Sequence, residues 1–128
     1  MKFLIDTCTF VWIVSGGRSL PPRVVSAYQS ADNEIFLSAV SVWEIAVKHA
    51  AGRLALPEPP HQLVPAERVR RGIASLGFDE ESALHVTKLP ALHRDPFDRM
   101  LVSQAIVHGM TILTPDALIT QYPSRTLW

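Results

Sequence analysis

Short apolar runs that break directly into helical stretches constrain this chain more than any other feature. Phe3-Leu4-Ile5 is a continuous apolar run, the mark of a strand covered on both faces, and Asp6-Thr7 then opens a helical stretch from Cys8 to Val14 that Gly16-Gly17 ends. Pro21-Pro22 starts a second helix through about Ala31, and Asn33 to Ser38 reads as a second short strand. A third helix runs from about Ala39 to Ala51, closed by Gly52 where positive φ is tolerated. Later, Asp95 caps a helix whose first residue is Pro96 and which runs to Gly109; Thr111 to Thr114 is a strand, Pro115 to Thr120 a short helix and Thr126 to Trp128 an edge strand. Strands alternating with helices predict a three-layer α/β/α fold with a central, mostly parallel twisted sheet. In such sheets ligands bind beyond the carboxyl ends of the strands.

The middle is less regular. Pro57, Pro59, Pro60 and Pro65 interrupt the segment after Arg53, which predicts a loop, a helix near Ala66 to Gly72 and a short strand at Ile73 to Leu76. Asp79 to Lys88 reads as a helix with an acidic first turn, Asp79-Glu80-Glu81, matched to the helix dipole.

With 128 residues, 48% hydrophobic and 19% charged, residues 1–128 are expected to form one domain with an ordinary core. Twelve basic residues balance twelve acidic ones, so no global field drives adsorption to nucleic acid or to an anionic membrane, and any nucleic-acid contact must be local. Nine of the twelve cations are arginine, whose planar fork suits phosphate. The single cysteine, Cys8, excludes an intrachain disulfide and a Cys-based zinc site; it is read as small apolar packing in a reducing compartment. Asp6 interrupts the first apolar run before any secretory cleavage site, and the charge-free stretch Met100 to Pro115 is too short to span a bilayer comfortably. A cytoplasmic protein without membrane association is expected.

Four acids stand at strand-to-helix junctions or in opening helical turns: Asp6, Glu44, Asp98 and Asp116. Each has an ordinary reading. Asp6 suits a helix N-cap, and Glu44 suits either a capping box with Ser41 or an i,i+4 pair with Lys48. Asp116 complements a helix dipole, and Asp95 is a cap first and a ligand second. Asp98 differs, because helical spacing sets it on the side of Leu101, Val102 and Ala105, where an unpartnered carboxylate costs several kcal/mol. Together the four belong to one end of one sheet, and carboxylates gathered there either share protons or hold a divalent cation. Hard oxygen ligands without Cys or closely spaced His select Mg²⁺ or Mn²⁺.

Four stretches carry a family resemblance: Phe-Leu-Ile-Asp-Thr at 3–7, Leu-Ser-Ala-Val-Ser-Val-Trp-Glu-Ile-Ala-Val-Lys at 37–48, His-Arg-Asp-Pro-Phe-Asp-Arg-Met-Leu-Val-Ser-Gln-Ala at 93–105 and Ile-Leu-Thr-Pro-Asp at 112–116. In that order and spacing the chain resembles the PIN domain and, within it, VapC-type toxin ribonucleases. The resemblance implies a PIN-like fold and a Mg²⁺-dependent endoribonuclease, with Mn²⁺ able to substitute. It makes Asp6 and Asp98 the principal metal ligands, Glu44 the third acid and Asp116 the fourth, more variable one. Asp95 lies beside the motif, and Thr7, Ser41 and Thr114 match hydroxyl positions that orient carboxylates or water. The implied partners are a VapB-like antitoxin, RNA and a second copy of the chain in a homodimer.

RNA approaching an acidic site needs cations beside it, and Arg94, Arg99, Arg68, Arg70 and Arg71 are the candidates, each equally readable as a solvated or ion-paired arginine. Phe10, Val11, Trp12 and Val14 are read either as core or as interface, with Trp12 foremost for the latter. A dehalogenase-like phosphatase would need a second Asp where Cys8 stands, and no P-loop or Gly-rich dinucleotide turn is present. The serious alternative is a noncatalytic PIN-like module that binds RNA or protein while its acids only cap helices.

Overall fold

A computed structural model describes residues 1–128. Five strands, β1 (Lys2–Ile5), β2 (Glu34–Ser38), β3 (Ala74–Leu76), β4 (Thr111–Leu113) and β5 (Thr126–Leu127), pair in the spatial order β3-β2-β1-β4-β5. Every pairing is parallel. Seven helices connect and cover them: α1 (Thr7–Ser15), α2 (Pro22–Gln29), α3 (Ala39–Ala50), α4 (Pro60–Arg70), α5 (Glu80–His85), α6 (Pro96–His108) and α7 (Ala117–Thr120).

Strand side chains alternate between faces, and the alternation builds two cores. Phe3 and Ile5 pack on one side with Phe10 of α1, Val24 of α2, Ile45 of α3 and Val64 of α4. Leu4 and Ile112 pack on the other with Leu101, Val102 and Ala105 of α6 and Ile119 of α7. Leu4 and Ile5 are both fully buried, which is why β1 reads as apolar at consecutive positions. Each such side chain contributes about 1.5–3 kcal/mol by leaving water. The three-layer α/β/α expectation is met.

The chain lays β2 and β3 outward on one side of β1, then returns to place β4 and β5 on the other. Strand order therefore reverses between β1 and β4, and the connections that leave the carboxyl ends of these paired neighbours turn to opposite faces, α1 to one and α7 to the other, which is where a crevice forms in such sheets. Asp6 follows β1 and Thr114 follows β4, so the topology delivers both to that crevice.

Four local expectations change. Helix α4 starts at Pro60, well before Ala66, because Pro59 and Pro60 initiate it: a first-turn residue needs no N–H donor, and the ring presets φ. Pro65 lies inside that helix on an exposed position and forfeits one backbone bond. Asp79 is the N-cap of α5, accepting from Ser82 N at 2.6 Å, and the helix continues to Lys88 only as a 3-10 turn over Val86–Lys88. Cys8 is exposed, since α1 turns Thr7, Thr9 and Phe10 inward instead. No helix is long and apolar enough to cross a membrane.

Candidate active site

Asp6 ends β1 and caps α1. Its Oδ1 accepts from Thr9 N at 2.8 Å, and its Oδ2 accepts from Thr114 Oγ1 at 2.5 Å. The residue is 2% exposed, and burial pushes its carboxyl above the ordinary value; hydrogen bonds from Thr114 and Thr9 oppose that rise, and Asp116 adds repulsion to it. Thr9 reinforces the junction by donating from Oγ1 to Leu113 O at 3.1 Å, tying the start of α1 to β4. Thr9 is absent from the sequence-derived candidates, because a threonine early in a helix carries no signal of a partner this distant in the chain.

Glu44 enters from α3. Its Oε1 accepts from Thr7 Oγ1 at 2.6 Å, and its Oε2 pairs with Lys48 one turn on. Thr7 Oγ1 also lies 3.0 Å from Ser41 Oγ. Thr7 has one hydroxyl proton, and a carboxylate only accepts, so Glu44 takes that proton and Ser41 supplies the other contact. The capping-box reading is corrected here: Ser38 caps α3, accepting from Val40 N at 3.0 Å, and leaves Ser41 and Glu44 inside the helix, both buried.

Asp98, on the first turn of α6, is half-buried and receives no hydrogen bond on its carboxylate from the chain. Burial, followed by repulsion from Asp95, Asp116, Glu44 and Asp6, lifts its pKa to about 7. Asp95 caps α6 by accepting from Phe97 N at 2.9 Å and Asp98 N at 3.3 Å. Asp116 caps α7, accepting from Leu118 N at 2.9 Å, while its own N–H donates to Thr114 Oγ1 at 3.0 Å. Thr114 thus joins two acids from below.

Oxygen donors of this kind suit a hard divalent cation, and one of them lacks any donor of its own. No three acidic or histidine side chains, however, converge closely enough to form a ligand shell by themselves. The acids sit within range of mutual repulsion around Asp98.

Cations around the acids differ in how they are engaged. Arg99 donates to Pro90 O at 2.8 Å, Val86 O at 3.1 Å and Tyr122 Oη at 3.2 Å, with its guanidinium 5.9 Å from the Tyr122 ring centroid. That arginine fastens the preceding loop to α6 with three of its five N–H donors. Arg70 and Arg71 both turn to Glu67 of their own helix, at 3.4 Å and 2.8 Å. Arg94 is exposed, and Arg68 lies half-buried along a groove of about 470 Å³ between α3 and α4 with Trp43, His61 and Val64. This largest cavity is mostly apolar and holds none of the acids. The carboxylate chemistry lies beside a smaller cleft of about 200 Å³, lined by Thr7, Cys8, Glu44, Lys48 and the apolar Val11 and Leu54. Partial desolvation of the sulfur, then Asp6 and Glu44, push the Cys8 thiol up to about 11, too high for a ready nucleophile. Phe10 is core, and Trp12 packs 5.8 Å from the Trp128 ring beneath Arg18, so one face of that indole is occupied within the chain.

A family model described as the PIN domain matches residues 3–123. The Ribonuclease VapC16 of Mycobacterium tuberculosis is 40% identical over 57 residues, a segment that spans 44% of this chain and 40% of that relative. Among solved structures, VapBC2 from Rickettsia felis bound to a promoter DNA fragment aligns with a TM-score of 0.73 at 15% identity, covering 100% of this chain and 99% of that one. DNA-bound VapBC from Salmonella typhimurium aligns with a TM-score of 0.72 at 18% identity, covering 99% and 97%. The FitAcB structure from Neisseria gonorrhoeae gives 0.60 at 21% identity, covering 98% and 96%. At these identities the likeness is one of fold.

Proposed function

This chain belongs to the PIN domain family, and on that premise we propose that it is a Mg²⁺-dependent endoribonuclease of the VapC type, the toxin of a toxin–antitoxin pair. The observation that carries the reading is Asp98: a half-buried carboxylate without a donor, raised to about 7 by burial and by four acidic neighbours, is a group that a cation relieves. Asp6 and Asp98 would hold the ion, with Mn²⁺ as a substitute. Such a cation, when bound, activates water and offsets charge on the phosphate and on the leaving oxygen.

The chain's own residues supply orientation. Thr114 and the α1 backbone fix both Asp6 oxygens, so the carboxylate presents one face to the crevice. Thr7 and Lys48 fix both Glu44 oxygens, which suits Glu44 to orienting, through a remaining lone pair, a water that attacks the phosphate. Asp116 stands where it adds negative charge beside Asp6. No nucleophilic side chain is required, and hydrolysis would leave a 5′ phosphate and a 3′ hydroxyl. Of the five candidate arginines, Arg94 and Arg68 are the two left uncommitted by ion pairs or side-chain hydrogen bonds and available to the RNA backbone. A VapB-like antitoxin belongs to the proposal, supported by the VapBC complexes that share the fold; a homodimer and a cytoplasmic setting belong to it on the sequence reading alone.

One observation favours the noncatalytic alternative: Asp6, Asp95 and Asp116 all cap helices, and Glu44 is paired. A single experiment separates the two. The purified chain, free of any antitoxin, should cleave a mixture of structured and single-stranded RNAs with Mg²⁺ or Mn²⁺ and stop on chelation, and Asp6→Asn should be inactive yet folded. Intact RNA under every condition would leave the binding module as the better account.

A further inference from the structure

Lys48 is the one cation that lines the cleft beside Glu44, and its pairing with that acid leaves part of its ammonium without a task. It stands one helical turn after Glu44, lines the cleft with Thr7 and Cys8, and keeps 35% of its side chain exposed while Glu44 keeps 7%. An ammonium has three protons. One of them goes to Glu44 Oε2; the chain offers no other hydrogen-bond partner to Lys48, which lines the cleft with its remaining protons unpaired. The hydrogen bond to Glu44 first, with weaker help from Asp95, holds the side chain in its charged form.

We propose that Lys48 is a phosphate-contacting residue, held over the cleft by Glu44 and presented to the RNA backbone beside the reacting bond. The proposal rests on the ribonuclease reading and deepens it. A phosphodiester approaching Asp6, Asp98, Asp116 and Glu44 meets strong repulsion, and a cation paired to one of these acids and lining the cleft beside it offsets that repulsion at short range. Arg99 is mostly committed elsewhere, with three of its five donors given to Pro90, Val86 and Tyr122. A merely structural Lys48 would neutralise Glu44 and leave its remaining protons to water.

The salt dependence of RNA binding distinguishes these roles, because removing one cation that neutralises a phosphate makes the slope of log affinity against log salt shallower by about 0.7 on a single strand. Binding of a labelled single-stranded RNA of mixed sequence would be measured in the Asp98→Asn chain with chelator present, so that the RNA stays whole. Adding Lys48→Gln should flatten the slope by about that amount. Lys48→Arg should restore it, and Lys88→Gln, which removes an exposed charge elsewhere, should leave it unchanged. Thermal melts accompany each variant to show that it is folded. An unchanged slope in a folded Lys48→Gln chain, with RNA still bound, overturns this proposal alone. Failure of the Asp98→Asn chain to bind RNA at all overturns the ribonuclease reading and this proposal with it.

Discussion

Thr114 Oγ1 donates to Asp6 Oδ2 at 2.5 Å, joining two side chains 108 residues apart across the point where strand order reverses. The bond closes the floor of the crevice and aims the first acid of the site. Its strength comes from context: a carboxylate that is 2% exposed has little water to replace a missing donor.

Thr114→Val keeps the shape and removes the donor. Denaturant unfolding at neutral pH should show a loss of about 1–3 kcal/mol, the cost of an unsatisfied buried group, and Thr114→Ser should recover most of it. An unchanged midpoint in the valine variant would mean that Asp6 is anchored by α1 alone.

Asp98→Asn should cost the chain its cleavage and raise its stability. The carboxyl titrates near 7 in the fold against 3.8 ordinarily, so between those values the folded chain holds a proton that the unfolded chain has released. Stability of the metal-free protein must then fall as pH rises through that window. Asparagine removes the titration. The variant should match the parent near pH 4 and exceed it at pH 8 by about 1–2 kcal/mol once solvent screening is discounted, with Mg²⁺ narrowing the gap by stabilising only the parent. Equal melting temperatures at pH 8 without metal would refute the repulsion on which the site reading depends.

Arg99 separates a cation that holds the fold from one that meets substrate. Arg99→Gln strips donors from Pro90 O, Val86 O and Tyr122 Oη together, and unfolding should register about 1–3 kcal/mol. RNA affinity of the folded fraction should keep its salt slope, whereas Arg94→Gln should flatten it with no change in stability. Reversal of the two outcomes would return Arg99 to the RNA-binding surface.

What the sequence disclosed, and what it hid, follows from the range of the interactions. β1, α3 and α6 were readable because apolar periodicity, Pro96 at a first helical position and Asp95 as a cap are signals within a few residues. The acids were readable for the same reason, since a parallel sheet sends every strand-to-helix junction to one edge. Helix α4 was hidden, because four prolines look like breakers until one knows that Pro60 begins the helix and Pro65 faces solvent. The commitments of the side chains were hidden more deeply. Nothing local says that Arg99 reaches Tyr122 or that Thr9 reaches Leu113; these depend on where the layers meet.

Asp79 offers a test far from the acids of the crevice. It caps α5, receives the Ser82 N–H, and pairs with His108 at the end of α6, so it joins two helices through one carboxylate. The backbone bond from Ser82, then the Ser82 side chain and His108, hold its carboxyl below the ordinary value. A depressed acid contributes stability above its unfolded pKa and loses it as pH falls through the folded one. Asp79→Ala should therefore melt at a lower temperature than the parent at about pH 7, and the difference should shrink as both are titrated below about pH 4. His108→Ala should produce part of the same loss, because it removes one of the carboxylate's partners and leaves the cap intact. A gap between parent and Asp79→Ala that stays constant from neutral to acid pH would show that the ionised carboxylate contributes nothing, and that α5 and α6 are held together by their apolar packing alone.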